Sequence, residues 1–386
     1  MISVEEALTH VLALASPIKA EEVALRYAAG RVLAKPAVAR RNQPPFRASI
    51  MDGYAVRGEH QSYRVTGEIA AGDTPSNELN DGEAVRIFTG APLPEGASRV
   101  IIQEDTAVDG DRITIRENAD KSTYIREEGR DFKAGFAIDS GQRLTPARIA
   151  LAASMNVPTL SVARRPRVAI IPTGNELVMP GESPSEAQII ASNAFGLVAI
   201  AEQEGAEARL LPIARDTVDS LKTVFALASD ADLIVTIGGA SVGDYDLVGS
   251  VTEELGLERA FYKIAMRPGK PLMAGRLGAA SLLGLPGNPV SALVCGHVFL
   301  RPLLRKMQGM DDLNDMPETA PLAEAIGKNG PRQHYMRATL NDHKLRVATH
   351  QDSALLTVLA NANALVIRAP HDPEKAVDDL VSFIKI

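Results

Sequence analysis

The spacing of apolar positions along this chain changes several times, and each change predicts a different architecture. Residues 1–35 place Val4, Leu8, Val11 and Leu12, then Val23, Leu25, Ala28 and Val32, at helical intervals, which predicts helices there. Ser3 followed by Glu6 forms a capping-box pattern opening the first, over 4–14, because each side chain can satisfy a backbone donor left free at a helix start. Arg40-Arg41-Asn42-Gln43-Pro44-Pro45-Phe46 ends this pattern, since paired prolines favour an extended chain. From 47 to 130, short β-type runs at 63–65, 84–88, 99–103 and 112–115 alternate with turns such as Ala71-Gly72-Asp73 and Asp109-Gly110-Asp111. That spacing predicts a compact β domain without crossover helices. Thr145-Pro146 predicts the start of a helix over 146–155.

Between 166 and 305 the pattern becomes strand, helix, strand, helix. Strand-like runs at 167–172, 208–212 and 232–237 are separated by helical stretches over 192–204 and from Asp216-Thr217 to 228. Further runs follow at 261–266, 272–274 and 281–285, then a long apolar helix from Val290. Such alternation predicts a mostly parallel sheet covered on both faces. Beyond 310, short alternating strands at 335–340, 345–349, 364–367 and 380–384 predict a small terminal β-barrel. The expected fold class is therefore multidomain α/β. A helical and extended linking domain takes 1–46 with 131–163, a β-rich domain 47–130, a doubly wound α/β domain 164–308 and a C-terminal β-barrel 309–386.

Composition narrows the function. At 386 residues and 45% apolar content the chain is long enough for several cores. With 4% aromatic residues, no Trp and a net charge of −7, it lacks both the stacking surfaces and the basic field of a nucleic-acid binder. No apolar run reaches membrane-spanning length and no basic leader opens the chain, so a cytoplasmic protein without a membrane partner is expected. The single Cys295 lies in an apolar stretch and is expected to be a buried, inert thiol. The motifs of P-loop ATPases, Rossmann dehydrogenases, zinc proteases and serine hydrolases are absent.

The candidate chemistry sits in loops that follow strand-like runs. In an open parallel sheet such loops share one edge, and that edge binds ligands. Thr173-Gly174-Asn175-Glu176 is one loop. Gly238-Gly239-Ala240-Ser241-Val242-Gly243-Asp244-Tyr245-Asp246 is a second, whose glycines permit close backbone approach and whose paired carboxylates suit a hard cation such as Mg²⁺. A solvated acidic turn would have the same composition. Leu285-Pro286-Gly287-Asn288-Pro289 leads into a helix start, which suits an oxyanion, although an ordinary strand-to-helix turn reads the same. Arg267-Pro268-Gly269-Lys270-Pro271 sets two cations on a stiff turn, either an oxyanion clamp or a surface pair. Ser49 to Tyr54, Thr89-Gly90-Ala91-Pro92 and Arg126 with Asp131 read by composition only as turns.

Together these stretches resemble the molybdopterin molybdenumtransferase family, MoeA and the E domain of gephyrin. The resemblance is carried by Met51-Asp52-Gly53-Tyr54-Ala55-Val56, Thr89-Gly90-Ala91-Pro92-Leu93-Pro94, Thr173 to Leu177, Gly238 to Asp246, Arg267 to Pro271 and Leu285 to Ser291, in family order over nearly the whole chain. It implies an elongated four-domain subunit acting as a homodimer, with each cleft formed between the α/β domain of one copy and the β domain of the other. The implied reaction inserts molybdate into adenylylated molybdopterin and releases AMP, with Mg²⁺ as cofactor. Implied partners are the adenylyltransferase that would supply this substrate and the proteins that accept the finished cofactor. By residue, the resemblance implies catalytic roles for Asp52, Thr89, Asp131, Glu176, Asp246 and Lys270, and metal ligation by Glu176, Asp244 and Asp246. It implies substrate binding by Arg126, Thr173, Gly174, Asp216, Gly238, Gly239, Ser241, Gly243, Arg267, Pro286, Gly287, Asn288, Pro289 and Ser353. Asn175, Arg267, Arg130, Ala191 and Asp352 depart from the residues usual in the family. A molybdopterin adenylyltransferase and a non-catalytic scaffold are the alternative functions.

Overall fold

The computed structural model describes residues 1–75, 78–239 and 247–386. The α/β region is built on a six-stranded sheet in the order Glu207–Leu210, Arg167–Pro172, Leu233–Ile237, Ala280–Leu285, Met273–Leu277, Leu257–Tyr262. The first four strands are parallel, Met273–Leu277 runs antiparallel to them, and Leu257–Tyr262 pairs antiparallel with Met273–Leu277. Leu233–Ile237 and Ala280–Leu285 are buried throughout, as central parallel strands with helices on both faces must be. Helices Asn193–Gln203, Val218–Leu227, Leu247–Glu254 and Pro289–Cys295 cover the sheet, the last running through a π-helical turn at Gly296–Leu300 into Arg301–Met307. Two apolar clusters, one per face, fill the space between.

The first helix, Val4–Ala13, has the expected capping box: Glu6 N–H donates to Ser3 Oγ (3.0 Å) and Ser3 N–H to Glu6 Oε2 (2.8 Å). Its buried Val4, Ala7 and Val11 join the core of the α/β region. The second helical stretch expected over 23–32 does not form. Ala20–Ala24 is a strand, followed by a 3₁₀ turn at Leu25–Tyr27, because Ala20–Ala24 finds an antiparallel partner in Thr159–Ala163. Tertiary pairing here overrides a helix-compatible spacing. With Ala37–Val38 paired to Ala137–Ile138 and the helix Pro146–Ser154, these segments share one apolar cluster from Ala28 to Val162.

The β domain carries a six-stranded sheet ordered Arg99–Ile102, Gly53–Val56, Glu83–Ile87, Ser62–Ile69, Arg112–Ile115, Thr106–Asp109. At the C-terminus, Glu318–Pro321, Gln333–Asn341, Lys344–Val347, Ala364–Arg368 and Leu380–Lys385 form one sheet around a cluster that includes Leu322, Leu345, Val366 and Phe383. A bridge between Leu322 and Leu345 brings its ends together. A strand of the α/β region, Met266–Arg267, extends this sheet by pairing with Gln333 and His334. The strand expected over 261–266 is interrupted: it stops at Tyr262, and Lys263 turns the chain with φ of +69°.

Candidate functional site

A cavity of about 920 Å³ opens beyond the carboxyl ends of the parallel strands, lined by the segments that follow Pro172, Ile237 and Leu285. The three loops are tied to one another through their backbones. Thr173 N–H donates to Ile237 O (3.0 Å), Gly238 N–H to Leu285 O (3.0 Å) and Gly174 N–H to Ala214 O (3.0 Å). Glycine is required where they meet. Gly238 has φ of +92°, and a Cβ there would lie 2.9 Å from Thr173 O; at Gly239, with φ of +66°, a Cβ would fall 2.2 Å from Val248 Cγ2.

Residues that no motif announced hold the Thr173 loop in place. Arg215 donates from Nη1 to the carbonyls of Leu177 (2.8 Å), Asn175 (3.2 Å) and Gly174 (3.4 Å). Asn175 and Asp216 exchange hydrogen bonds, each backbone N–H donating to the other's side chain at 3.1 Å. Asp216 thus fixes the loop while lining the cavity, and the amide at position 175 has a structural partner. The carboxylate of Glu176 folds back over Gly174, where a Cβ would meet its Oε2 at 2.3 Å. It is exposed to the cavity and has no hydrogen-bond or ion-pair partner among the described residues. Such a carboxylate beside glycine loops fits a hard cation's preference for oxygen ligands. Among the described residues no three acidic, His or Cys side chains gather as a metal site. Ser241, Gly243, Asp244 and Asp246, all expected here, lie outside the described residues.

The Pro286-Gly287-Asn288-Pro289 loop also lines the cavity, and Asn193 Nδ2 donates to Gly287 O (2.6 Å). Pro289 at the helix start has no N–H to offer, and Val290 N–H donates to the carbonyl of Ser353 (3.1 Å). The capacity of this helix start for an anion therefore rests on the loop and Ser291 rather than on the whole first turn. Ser353 stands against the α/β domain because Arg337, 1% exposed, donates to Gln351 Oε1 (3.1 Å) and Asp352 O (2.7 Å). Sequence reading did not single out Arg337; only the fold reveals that a strand arginine holds the Ser353 segment.

On the cationic turn, Lys270 lines the cavity and Arg267 is exposed. Gly269 has φ of +111°, and a Cβ there would press to 2.6 Å from Cys295 Sγ. Cys295 is fully buried, which pushes its thiol well above the ordinary range and makes it a packing element under the turn, as expected.

A second cluster lies in the β domain. Asp52 Oδ1 accepts from Thr89 N–H and from Thr89 Oγ1, both at 2.7 Å. These bonds to the ionised form hold its carboxyl below the usual range. Ile50 N–H donates to Tyr124 O and Ser49 N–H to Ala91 O, so the segments of Asp52, Thr89 and Arg126 adjoin. Asp131 lies further along, its N–H donating to Gln43 O (2.9 Å). None of Asp52, Thr89, Arg126 and Asp131 lines the cavity beyond the parallel strands.

Three family models cover the chain in order: the MoeA N-terminal region (domain I and II) over 2–156, a probable molybdopterin binding domain over 169–306, and the MoeA C-terminal region (domain IV) over 319–386. A relative from Haemophilus influenzae named molybdopterin molybdenumtransferase is 34% identical, with 95% of this chain and 94% of the relative covered. The chain belongs to the MoeA family. Another relative, molybdopterin molybdenumtransferase 2 of Mycobacterium tuberculosis, is 36% identical over 95% of each chain. The crystal structure of a molybdopterin biosynthesis MoeA protein from Pyrococcus horikoshii superposes with a TM-score of 0.84 at 30% identity, covering 100% of this chain and 99% of the other. The family resemblance and the multidomain α/β fold expected from the sequence are both met by these findings. No described helix is long and apolar enough to cross a membrane.

Proposed function

We propose that this MoeA-family chain is a transferase of molybdenum cofactor biosynthesis that inserts molybdate into adenylylated molybdopterin and releases AMP. The observation carrying this reading is the Glu176 carboxylate, without a partner among the described residues, which shares one cavity with three glycine-bearing loops and Lys270. A pyrophosphate-bearing substrate needs close backbone approach, cationic side chains and a means of screening charge, and this cavity supplies the first two directly. The glycines at 174, 238, 239 and 287 let the backbone reach the phosphates. Lys270 and Arg267 bind oxyanion charge, with Ser353 at the adjoining rim. Glu176 with Asp244 and Asp246 would hold Mg²⁺, which supplies charge screening and Lewis acidity to the phosphoanhydride. In the reaction an oxygen from water or molybdate adds to phosphorus as that bond breaks and AMP leaves, while the dithiolene sulfurs of the pterin take up molybdenum and its displaced oxo oxygen departs as water. The protein needs no soft ligands of its own, in keeping with its one buried cysteine.

Asp52 and Thr89 lie outside the cavity of their own chain, which supports a homodimer in which they complete the cleft of the second copy. In this reading the chain works in the cytoplasm, between the enzyme that adenylylates the pterin and the proteins that receive the finished cofactor. Glu176→Gln and Asp246→Asn should each abolish molybdate-dependent AMP release while leaving circular dichroism unchanged. Full activity in both variants would reject this site. Product formation from ATP and molybdopterin would instead favour the adenylyltransferase reading.

A further inference from the structure

Lys263 is a residue for which no motif asked. The spacing of apolar positions puts it inside a strand, yet the strand ends at Tyr262 and Lys263 adopts φ of +69°. Left-handed backbone costs a side-chain-bearing residue about 1 kcal/mol, which glycine would avoid. Among the described non-glycine residues with positive φ, Lys263 is the one that lines the cavity.

Its conformation is held from several sides. Lys263 N–H donates to Leu272 O (3.0 Å), and its carbonyl accepts from Ile2 N–H (3.4 Å). The next residue, Ile264, is fully buried and donates its N–H to Lys270 O (3.0 Å). This last bond brings the two cavity-lining lysines into one backbone arrangement. The Lys263 ammonium stands 5.2 Å from the Tyr262 ring centroid and has no carboxylate within ion-pair distance among the described residues. Among the described residues Lys222, Lys344, Lys375 and Lys385 pair with carboxylates, whereas Lys270, the second lysine of the cavity wall, is like Lys263 without one. Strain retained by the fold, at a cavity wall, under an ammonium with no carboxylate partner among the described residues, is the arrangement expected of an anion ligand.

We propose that Lys263 is a substrate-binding residue, whose ammonium pairs with the phosphate of the nucleotide in the cavity, next to Lys270. This assignment rests on the cavity being the adenylylated-pterin site. It makes the affinity difference between AMP and adenosine the quantity to measure, because the two differ only in the phosphate.

The test is calorimetric titration of the full chain with AMP and with adenosine, at two salt concentrations, for the wild type, Lys263→Met, Lys263→Arg and Lys263→Gly. In Lys263→Met the preference for AMP over adenosine should fall about tenfold, with weaker salt dependence, as expected for loss of one charge-assisted bond. Lys263→Arg should keep most of the preference. Lys263→Gly should lose it as Met does, while its melting temperature stays level or rises through release of the left-handed strain. That separation is one a structural role would not produce. An unchanged AMP preference in Lys263→Met, with a reduced one in Lys270→Met, would overturn the proposal and leave the cavity reading standing. Failure of the wild type to bind AMP would overturn both.

Discussion

Gly239 faces Val248 so closely that the site's geometry depends on a missing side chain. A Cβ at this position would overlap Val248 Cγ2 at 2.2 Å, and φ of +66° would add backbone strain. Gly239→Ala should therefore lower stability by about 2–3 kcal/mol, read as a shift in urea midpoint with an unchanged m-value. Activity should fall further than stability, because the loop must move away from Val248 to make room and so shifts within the cavity. Gly239 and Glu176 were legible as candidates in the sequence, since a double glycine after an apolar run and a carboxylate after Thr-Gly are local signals. Lys263 and Arg215 were not. The first looked like the middle of a strand, and the second acts through backbone carbonyls that only the folded loop presents to it.

Between elements, the segment before the linking-region helix and the helices of the α/β domain are joined by a buried carboxylate. Glu204, 4% exposed, accepts from Arg143 Nη2 (2.8 Å), Arg301 Nε (2.9 Å) and Arg305 Nε (3.0 Å). Asp315 pairs with Arg301 and Arg305 from the other side, at 2.8 and 2.9 Å. Burial alone would raise the Glu204 carboxyl, but hydrogen bonds from Arg305 and Arg301 outweigh it and hold it below its ordinary value of 4.5. A carboxyl lowered in the fold contributes stability above its unfolded value and loses it as pH falls through the folded one. Glu204→Gln should cost about 3 kcal/mol near neutral pH, because the arginines are left short of a counter-charge. Thermal melts of the variant should also change less than the wild type as pH drops below 4.5. The sequence showed these arginines and acids only as scattered charges, since Glu204 lies 61, 97 and 101 residues from Arg143, Arg301 and Arg305.

Across the molecule, the two clusters of candidate residues occupy different places on one chain. The first lies at the carboxyl edge of the α/β sheet, the second around Asp52 and Thr89 in the β domain. If two copies share each cleft, an Asp52→Asn subunit and a Glu176→Gln subunit, each inactive alone, should regain activity when mixed. Random exchange of subunits leaves one cleft intact in each mixed dimer, so about a quarter of wild-type turnover should return. No recovery after confirmed subunit exchange would mean that both clusters serve the same chain.

The sequence by itself determined the class of most elements, the change from β to α/β texture near 166, the capping box at Ser3 and the glycine loops. All of these are local, set by periodicity, turn chemistry and backbone freedom within a few residues. The fold decided what depended on distant partners. Ala20–Ala24 became a strand because Thr159–Ala163 lies beside it, and Met266–Arg267 joined the sheet of another domain. Lys263 turned toward the cavity because Leu272 and Ile2 hold its backbone there. Long-range pairing can outweigh a local preference worth a fraction of a kcal/mol per residue, and for that reason these features could not be read along the chain.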